Sequence, residues 1–280
     1  MNYEEKYIRT LSNDREPSNC DRIIYKSGSD IKFSKYSVIN DNKLETIKYS
    51  DHNMIFSKFK YANEQYLLLS WNMNAFDKDY TNIELLKTQI KNFFMNKLKN
   101  IKYLIFNFQE SRKDSMFIQA SKEVLFHDFK MNLINHQLSY PIFIKNYYVQ
   151  LLVFSTVPNV KIKESGYKNF IINTDIVNTI KSFFGTKSYV YININNLMIV
   201  GTHFPIDTTK SDLGNDLRLV AFKQISEHFT SYKNLIICGD LNFRNINNVD
   251  QLDSLLDLQI YNFKEPSKLK EPTYKYLTVG

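Results

Sequence analysis

Apolar positions Ile83, Leu86, Ile90 and Phe93/Phe94 recur at three- and four-residue spacing. That period predicts an amphipathic helix over residues 83–98, with Thr81 or Asn82 able to cap its start. A second helix is predicted near residues 217–229. Between and around them lie short apolar runs at 65–72 (QYLLLSWN), 102–108 (KYLIFNF), 149–154 (VQLLVF) and 234–240 (NLIICGD). These runs are continuous rather than alternating, so they predict strands covered on both faces. In KSYVYININNLMIVGTH the pair Asn195 and Asn196 interrupts two apolar runs and predicts a two-residue hairpin turn. MIFSKFKY, then Ala62, Asn63 and Glu64, then QYLLLSW predicts a second hairpin. Helices and buried strands interleaved in this way imply an α/β sandwich.

Polar residues follow the apolar runs: WNMN after LLLS, QES after LIFNF, THF after LMIVG and GDLN after LIIC. Strand ends that carry Asn, Glu, His and Asp converge on one rim, and oxygen ligands with imidazoles are what divalent-metal phosphoryl chemistry requires. Glu110 is the first candidate for a metal ligand. In GDLNFR, Gly239 permits a tight exit from the strand, Asp240 can accept a proton from an attacking water, and Asn242 can donate to a phosphate oxygen. Asp21 in CDR is suited to hold His52 of SDH in one tautomer and raise its pKa, with Asp51 beside it. A protonated His52 would stabilise charge on a transferring phosphoryl group, and His203 is a second candidate for that work. His127, His136 and His228 have no comparable setting and read as structural or surface residues.

Composition narrows the picture. The 280 residues contain 43% hydrophobic residues and only 7 Gly and 6 Pro, with no linker-like stretch and no internal period, which implies one domain over 1–280. Cys20 and Cys238 are too few for a disulfide framework and lack zinc-site spacing, so a reducing compartment is expected. The first residues lack the apolar run of a signal peptide, and no apolar stretch is long enough to cross a bilayer. The expectation is a soluble, cytoplasmic monomer. A net charge of +7 favours anionic partners, although heavy use of Lys, Asn, Ile and Tyr makes part of that charge compositional. The 15% aromatic content is read as core and sheet packing rather than as stacking platforms for bases.

Taken together, SWNMN, NFQE, GDLNFR, PTYKY, REPSNCDRI and SDH resemble the motif set of the inositol-polyphosphate 5-phosphatases, within the DNase I-like endonuclease/exonuclease/phosphatase superfamily. In that family the last elements follow GDLN, whereas here REPSNCDRI and SDH come first. Read as a ring, EPTYKYLTVG runs on into MNYEEKYIRTLSNDREPSNCDRI, which implies a circular permutation. The resemblance implies a four-layer α/β sandwich of two packed mixed sheets flanked by helices, and Mg2+ as cofactor. It puts Asn72 and Glu110 at the metal with Asp51 nearby, Asp240 and Asn242 at the water and phosphate, and Asp21 paired with His52. His203 matches the family's other histidine. Arg15, Tyr274 and Lys275 match residues that hold a 4-phosphate, so the implied substrate is a 4,5-bisphosphorylated inositol headgroup, lipid-borne or soluble.

The sequence departs from the family at Asn19, where Trp is usual, at THFPID, which lacks a second histidine, and in having no counterpart of the glycine-rich central segment. The implied activity is removal of the 5-phosphate from phosphoinositides or inositol polyphosphates, with peripheral contact to an anionic membrane. Two alternatives stand beside it. One is a phosphodiesterase of the same superfamily, a nuclease or sphingomyelinase-like enzyme, with nucleic acid the less favoured partner. The other is a phosphoinositide-binding module without catalysis.

Overall fold

The computed structural model describes residues 20–39, 50–74, 82–140, 147–171, 187–205, 213–243, 245–246, 249–250, 262–270 and 273. In chain order the elements are β1 (Asp21–Lys26), β2 (Lys32–Val38), β3 (Ile55–Tyr61), β4 (Glu64–Asn72), α1 (Ile83–Phe94), β5 (Tyr103–Ser111), α2 (Met116–Phe129), β6 (Asn132–Leu138) and β7 (Tyr148–Ser155). They continue as β8 (Ile162–Asn169), β9 (Ser188–Ile194), β10 (Leu197–His203), α3 (Leu213–His228), β11 (Leu235–Asp240), β12 (Asn245–Ile246), β13 (Val249–Asp250) and β14 (Phe263–Lys264).

Two six-stranded sheets carry the fold, with strand orders β14-β1-β11-β10-β9-β8 and β2-β3-β4-β5-β7-β6. Each is mixed: β10 and β11 run parallel in the first, β4 and β5 in the second, and the other pairs are antiparallel. Alternate residues sort into separate cores, as the two-residue period of a strand dictates. Ile23, Leu68, Ile105, Leu151, Ile192, Ile199 and Ile236 fill the space between the sheets. Leu69, Phe106 and Phe154 pack outward under α1 and α2, through Leu86, Ile90, Phe117 and Leu125. Met198, Val200 and Ile237 pack under Ala221, Phe222 and Ile225 of α3. The four layers are therefore helices, sheet, sheet and helix, the α/β sandwich expected from the apolar runs.

Several boundaries differ from the sequence expectation. Helix α1 stops at Phe94 rather than Leu98, because Lys97 and Leu98 both turn their N–H groups onto the Phe94 carbonyl and Asn100 follows at φ 66°. Its start is as expected, with Asn82 Oδ1 accepting from Leu85 N–H at 3.0 Å. Helix α3 begins a turn earlier than expected. The β9–β10 turn is the Asn195–Asn196 pair, at φ 52° and 70°. The β3–β4 turn is only Ala62 and Asn63, at φ 47° and 65°, and Glu64 already belongs to β4. Primed turns of this kind match the strand twist, which is why two residues suffice.

The C-terminal described segment closes the edge at β1. Ser27 N–H donates to Asn262 O at 2.6 Å, and Arg22 pairs with Glu265 at 3.0 Å, both side chains almost fully buried.

Candidate catalytic centre

Strand register builds the centre. Asp240 ends β11, and its lateral partners are Asp21 on β1 and His203 on parallel β10. Asn72 ends β4 of the facing sheet and sits level with Gln109 on β5. Glu110 lies within β5 rather than after it, at a bulge between Phe108 and Ser111 with φ 49°. The bulge re-aims one side chain without ending the strand. Gly239 (φ +145°) lets β11 pass so close to β10 that a Cβ there would collide with the Thr202 carbonyl oxygen. Gly239→Ala is expected to destabilise the fold by about 3 kcal/mol or more, read from the shift of the chemical denaturation midpoint. An unchanged midpoint would refute that close approach.

Around Asp240 the groups make defined contacts. Asn72 Nδ2 donates to Asp240 Oδ2 at 3.0 Å across the two sheets, and Asn74 N–H donates to Asn72 Oδ1 at 3.1 Å. Asn242 N–H donates to Asp240 Oδ1 at 3.0 Å, with Asn242 at φ 53°. The Asn242 amide, expected at phosphate, gives a hydrogen to Phe204 O at 2.8 Å, while Arg218 clamps the Asn242 carbonyl at 2.8 Å. His52 Nδ1 meets Asp21 Oδ2 at 2.7 Å, and its Nε2 lies 3.8 Å from Asp240 Oδ2 and 4.0 Å from Asp51 Oδ1. Backbone contacts fix this histidine, since Ser50 Oγ accepts its N–H and Trp71 Nε1–H donates to its carbonyl. His203 Nε2 stands 3.5 Å from Asp240 Oδ2 and 3.7 Å from Glu110 Oε1.

Charge follows from these distances. Burial alone would strip His52 of its proton, but Asp21, Asp240 and Asp51 reverse that and hold the imidazolium up to about 10. Burial pushes the Asp21 carboxyl up, and the shared proton resides on His52, which faces three carboxyl groups. Burial also works against the Asp240 carboxylate, yet His52, His203, Lys187 and the Asn72 bond bring it down to about 2. Burial and the neighbouring Lys187 push His203 well below its ordinary value. His203 is therefore neutral at neutral pH, and the positive charge expected there is supplied by Lys187, whose ammonium donates to His203 Nε2.

Lys187 is the residue that sequence reasoning missed. Its one signal is its place at the head of the KSYVY run, where the β9–β10 hairpin sets Ser188 opposite His203. Thr273 was missed as well: fully buried, it accepts the Asp21 N–H through Oγ1 at 3.0 Å and the Asn53 N–H through its carbonyl at 2.6 Å. Asp21, Asp51, His52, Asn72, Glu110, His203, Asp240 and Asn242 are thus gathered at one rim. Arg15, Tyr274 and Lys275 lie outside the described residues. His127 is exposed, and His136 and His228 bond to Gln150 and Tyr189 away from the centre.

The donor chemistry fits a hard divalent cation. Among the described residues, four acidic side chains, Asp21, Asp51, Glu110 and Asp240, face His52 and Lys187 as positive groups, a surplus of acidic over basic groups. Among the described residues no three His, Cys, Asp or Glu side chains close into a ready-made cage. Magnesium needs none, because it binds through one or two carboxylates and keeps its waters. Glu110, with its side chain 36% exposed, and Asp51, at 23%, are the acidic groups that reach solvent.

A sandwich of mixed sheets with acids, amides and imidazoles converging at strand ends defines the molecule's class. In structure the chain is similar to an endonuclease/exonuclease/phosphatase family protein from Leptotrichia buccalis, at 15% identity over 68% of this chain and 71% of that one, with TM-score 0.46. It is also similar to sphingomyelinase C from Streptomyces griseocarneus, at 13% identity over 68% of each chain and TM-score 0.43. A third is the catalytic domain of human nocturnin with bound sulfate anion, at 11% identity over 70% of this chain and 69% of that one, TM-score 0.41. No protein-family model matches the chain, and no curated protein sequence matches it.

Proposed function

We propose that the chain is a magnesium-dependent phosphoesterase that removes the 5-phosphate of phosphoinositides or inositol polyphosphates. The observation that carries the reading is the buried Asp21–His52 pair set beside Asp240, with Asn72 donating to the same carboxylate and His203 standing 3.5 Å from it. His52 presents Nε2–H toward the space beside Asp240, where it can donate to a phosphoryl oxygen and stabilise charge as it develops. Asp240, depressed to about 2, is a weak base, so its part is to accept a hydrogen bond from the attacking water and fix that water in line. Asn72 holds Asp240 in orientation across the sheets, and the Lys187 ammonium, held by neutral His203, offers a second contact for phosphate oxygens. Glu110 and Asp51 are the residues that would hold Mg2+, which when bound neutralises phosphoryl charge and polarises the ester.

The 5-phosphatase reading also explains the element order as a circular permutation. The β3–β4 hairpin joins the segment after SDH directly to the WNMN strand, and β1 of the CDR string lies antiparallel beside β11 of the GDLN string. The first contact joins segments that lie at opposite ends of the family's order, and the second brings together two strings that are near neighbours in that order but far apart in this chain.

A second reading, a phosphodiesterase, is favoured by the make-up of the described centre, whose acids, amides and imidazoles around Asp240 suit a phosphoryl group of either a monoester or a diester. Phosphate release from a panel of inositol phosphates and phosphoinositide vesicles in Mg2+, run beside plasmid DNA and sphingomyelin, separates the two. Release from 5-phosphorylated inositols, lost on chelation, is the expected result. Cleavage of a diester alone would move the assignment to the second reading, and headgroup binding without turnover would make the chain a binding module.

A further inference from the structure

Between the sheets, the inward-facing residues change character in two-residue steps toward the rim. Leu68, Ile105, Ile199 and Ile236 form an apolar layer, and Asn72, Gln109, His203 and Asp240 form the floor of the centre. The layer between them is Ser70, Asn107, Gly201 and Cys238. Asn107 is fully buried there. Its amide donates to Cys238 O of the opposite sheet at 2.9 Å and to Ser70 Oγ of its own sheet at 3.2 Å. Gln109 Nε2 donates to the same Ser70 Oγ at 3.2 Å. Gly201 makes the room: a Cβ at that position would collide with Asn107 Oδ1.

An apolar side chain of the same shape would fill this layer without leaving Asn107 Oδ1 buried and unpartnered, as it is now. Packing alone therefore does not account for the amide. What the amide does is tie β5, three residues before Glu110, to β11, two residues before Asp240. Those two side chains belong to different sheets, and the Asn72–Asp240 bond crosses the same gap one step higher. We infer that Asn107 is a positioning residue, a transverse strut that sets the distance between the Asp240 sheet and the sheet bearing Asn72 and Glu110. It touches no substrate and acts through the two sheets. The inference rests on the phosphoesterase reading for its kinetic consequence, but not for its geometry.

Asn107→Leu keeps the shape and removes the strut. A misplacement of reacting groups by a fraction of an ångström to an ångström lowers the rate of the bound complex, so kcat is expected to fall about 10- to 100-fold with KM nearly unchanged and the thermal midpoint retained. In parallel, the side-chain amide resonance of Asn72 should shift, since its bond to Asp240 spans the adjusted gap. Ser70→Ala, which trims one acceptor and leaves the packing in place, should give a smaller kcat loss of the same kind and serves if the first variant does not fold. Unchanged kcat and an unmoved Asn72 resonance in a folded variant would overturn the inference, as would a rate loss that follows only the fraction unfolded. Should the wild-type protein hydrolyse no phosphoester, the function assigned above falls, and the Asn72 resonance alone decides the strut.

Discussion

Replacing Asp240 with alanine is expected to lower kcat by about 1000-fold or more, because one side chain serves four neighbours at once. It is the acceptor for Asn72, it lies within 4 Å of both His52 and His203, and its Oδ1 accepts the Asn242 N–H that shapes the following loop. Removing it frees the water of its acceptor and leaves a buried imidazolium with one carboxylate fewer. Asp240→Asn keeps the volume and most hydrogen bonds but removes the charge, so it is expected to lose nearly as much rate. Phosphate-release kinetics at saturating substrate measure both, and an alanine variant with more than a tenth of wild-type kcat would refute the central role given to this carboxylate.

Asp21→Asn is expected to cost about 100- to 10,000-fold in kcat near pH 8, and its signature is the pH profile. With Asp21 in place, His52 remains an imidazolium up to about 10, so the wild-type alkaline limb should lie near that value. Without the aspartate charge, burial acts on the imidazole with less opposition and the limb moves to lower pH. Stability follows the same sign. His52 has a folded-state pKa above its ordinary 6.5, so its contribution is complete below 6.5 and is lost as pH rises through about 10. Denaturation midpoints of the wild type should decline across that window, and those of Asp21→Asn should decline less. An alkaline limb that stays in place in the variant would separate His52 from catalysis.

How far the chain announced these features depends on where each element sits. The central strands β4, β5, β7, β10 and β11 are buried on both faces, so their apolar runs are uninterrupted and visible. The edge strands β2 (KFSKYSV) and β8 (IKESGYKN) are half-exposed and carry lysines, which keeps sheet edges from pairing with other chains and also erases the apolar run. Helix α2 was not foreseen because Ser121 and Ala120 dilute the apolar face on which Phe117, Val124 and Leu125 lie. Glu110, Asp240, Asn72 and His203 were legible because they end apolar runs. Lys187 was not, since a lysine among 36 basic residues gains meaning only when a hairpin lays it against His203. Asn107 was hidden inside an apolar run, where nothing in the string marks a polar residue that reaches across to the other sheet.

Among the described residues strand β1 pairs with β11 and β14, and Asp21 is capped by Thr273, 252 positions further on. As the chain leaves the ribosome, its first described strand must therefore wait, with both edges bare, until residues 235–264 have been synthesised. The imidazole–carboxylate pair can take its final place only once Thr273 has been made. A chain cut short before residue 235 would lack Asp240 and the described partners of β1, so premature termination yields a fragment with an adhesive edge and an unassembled centre.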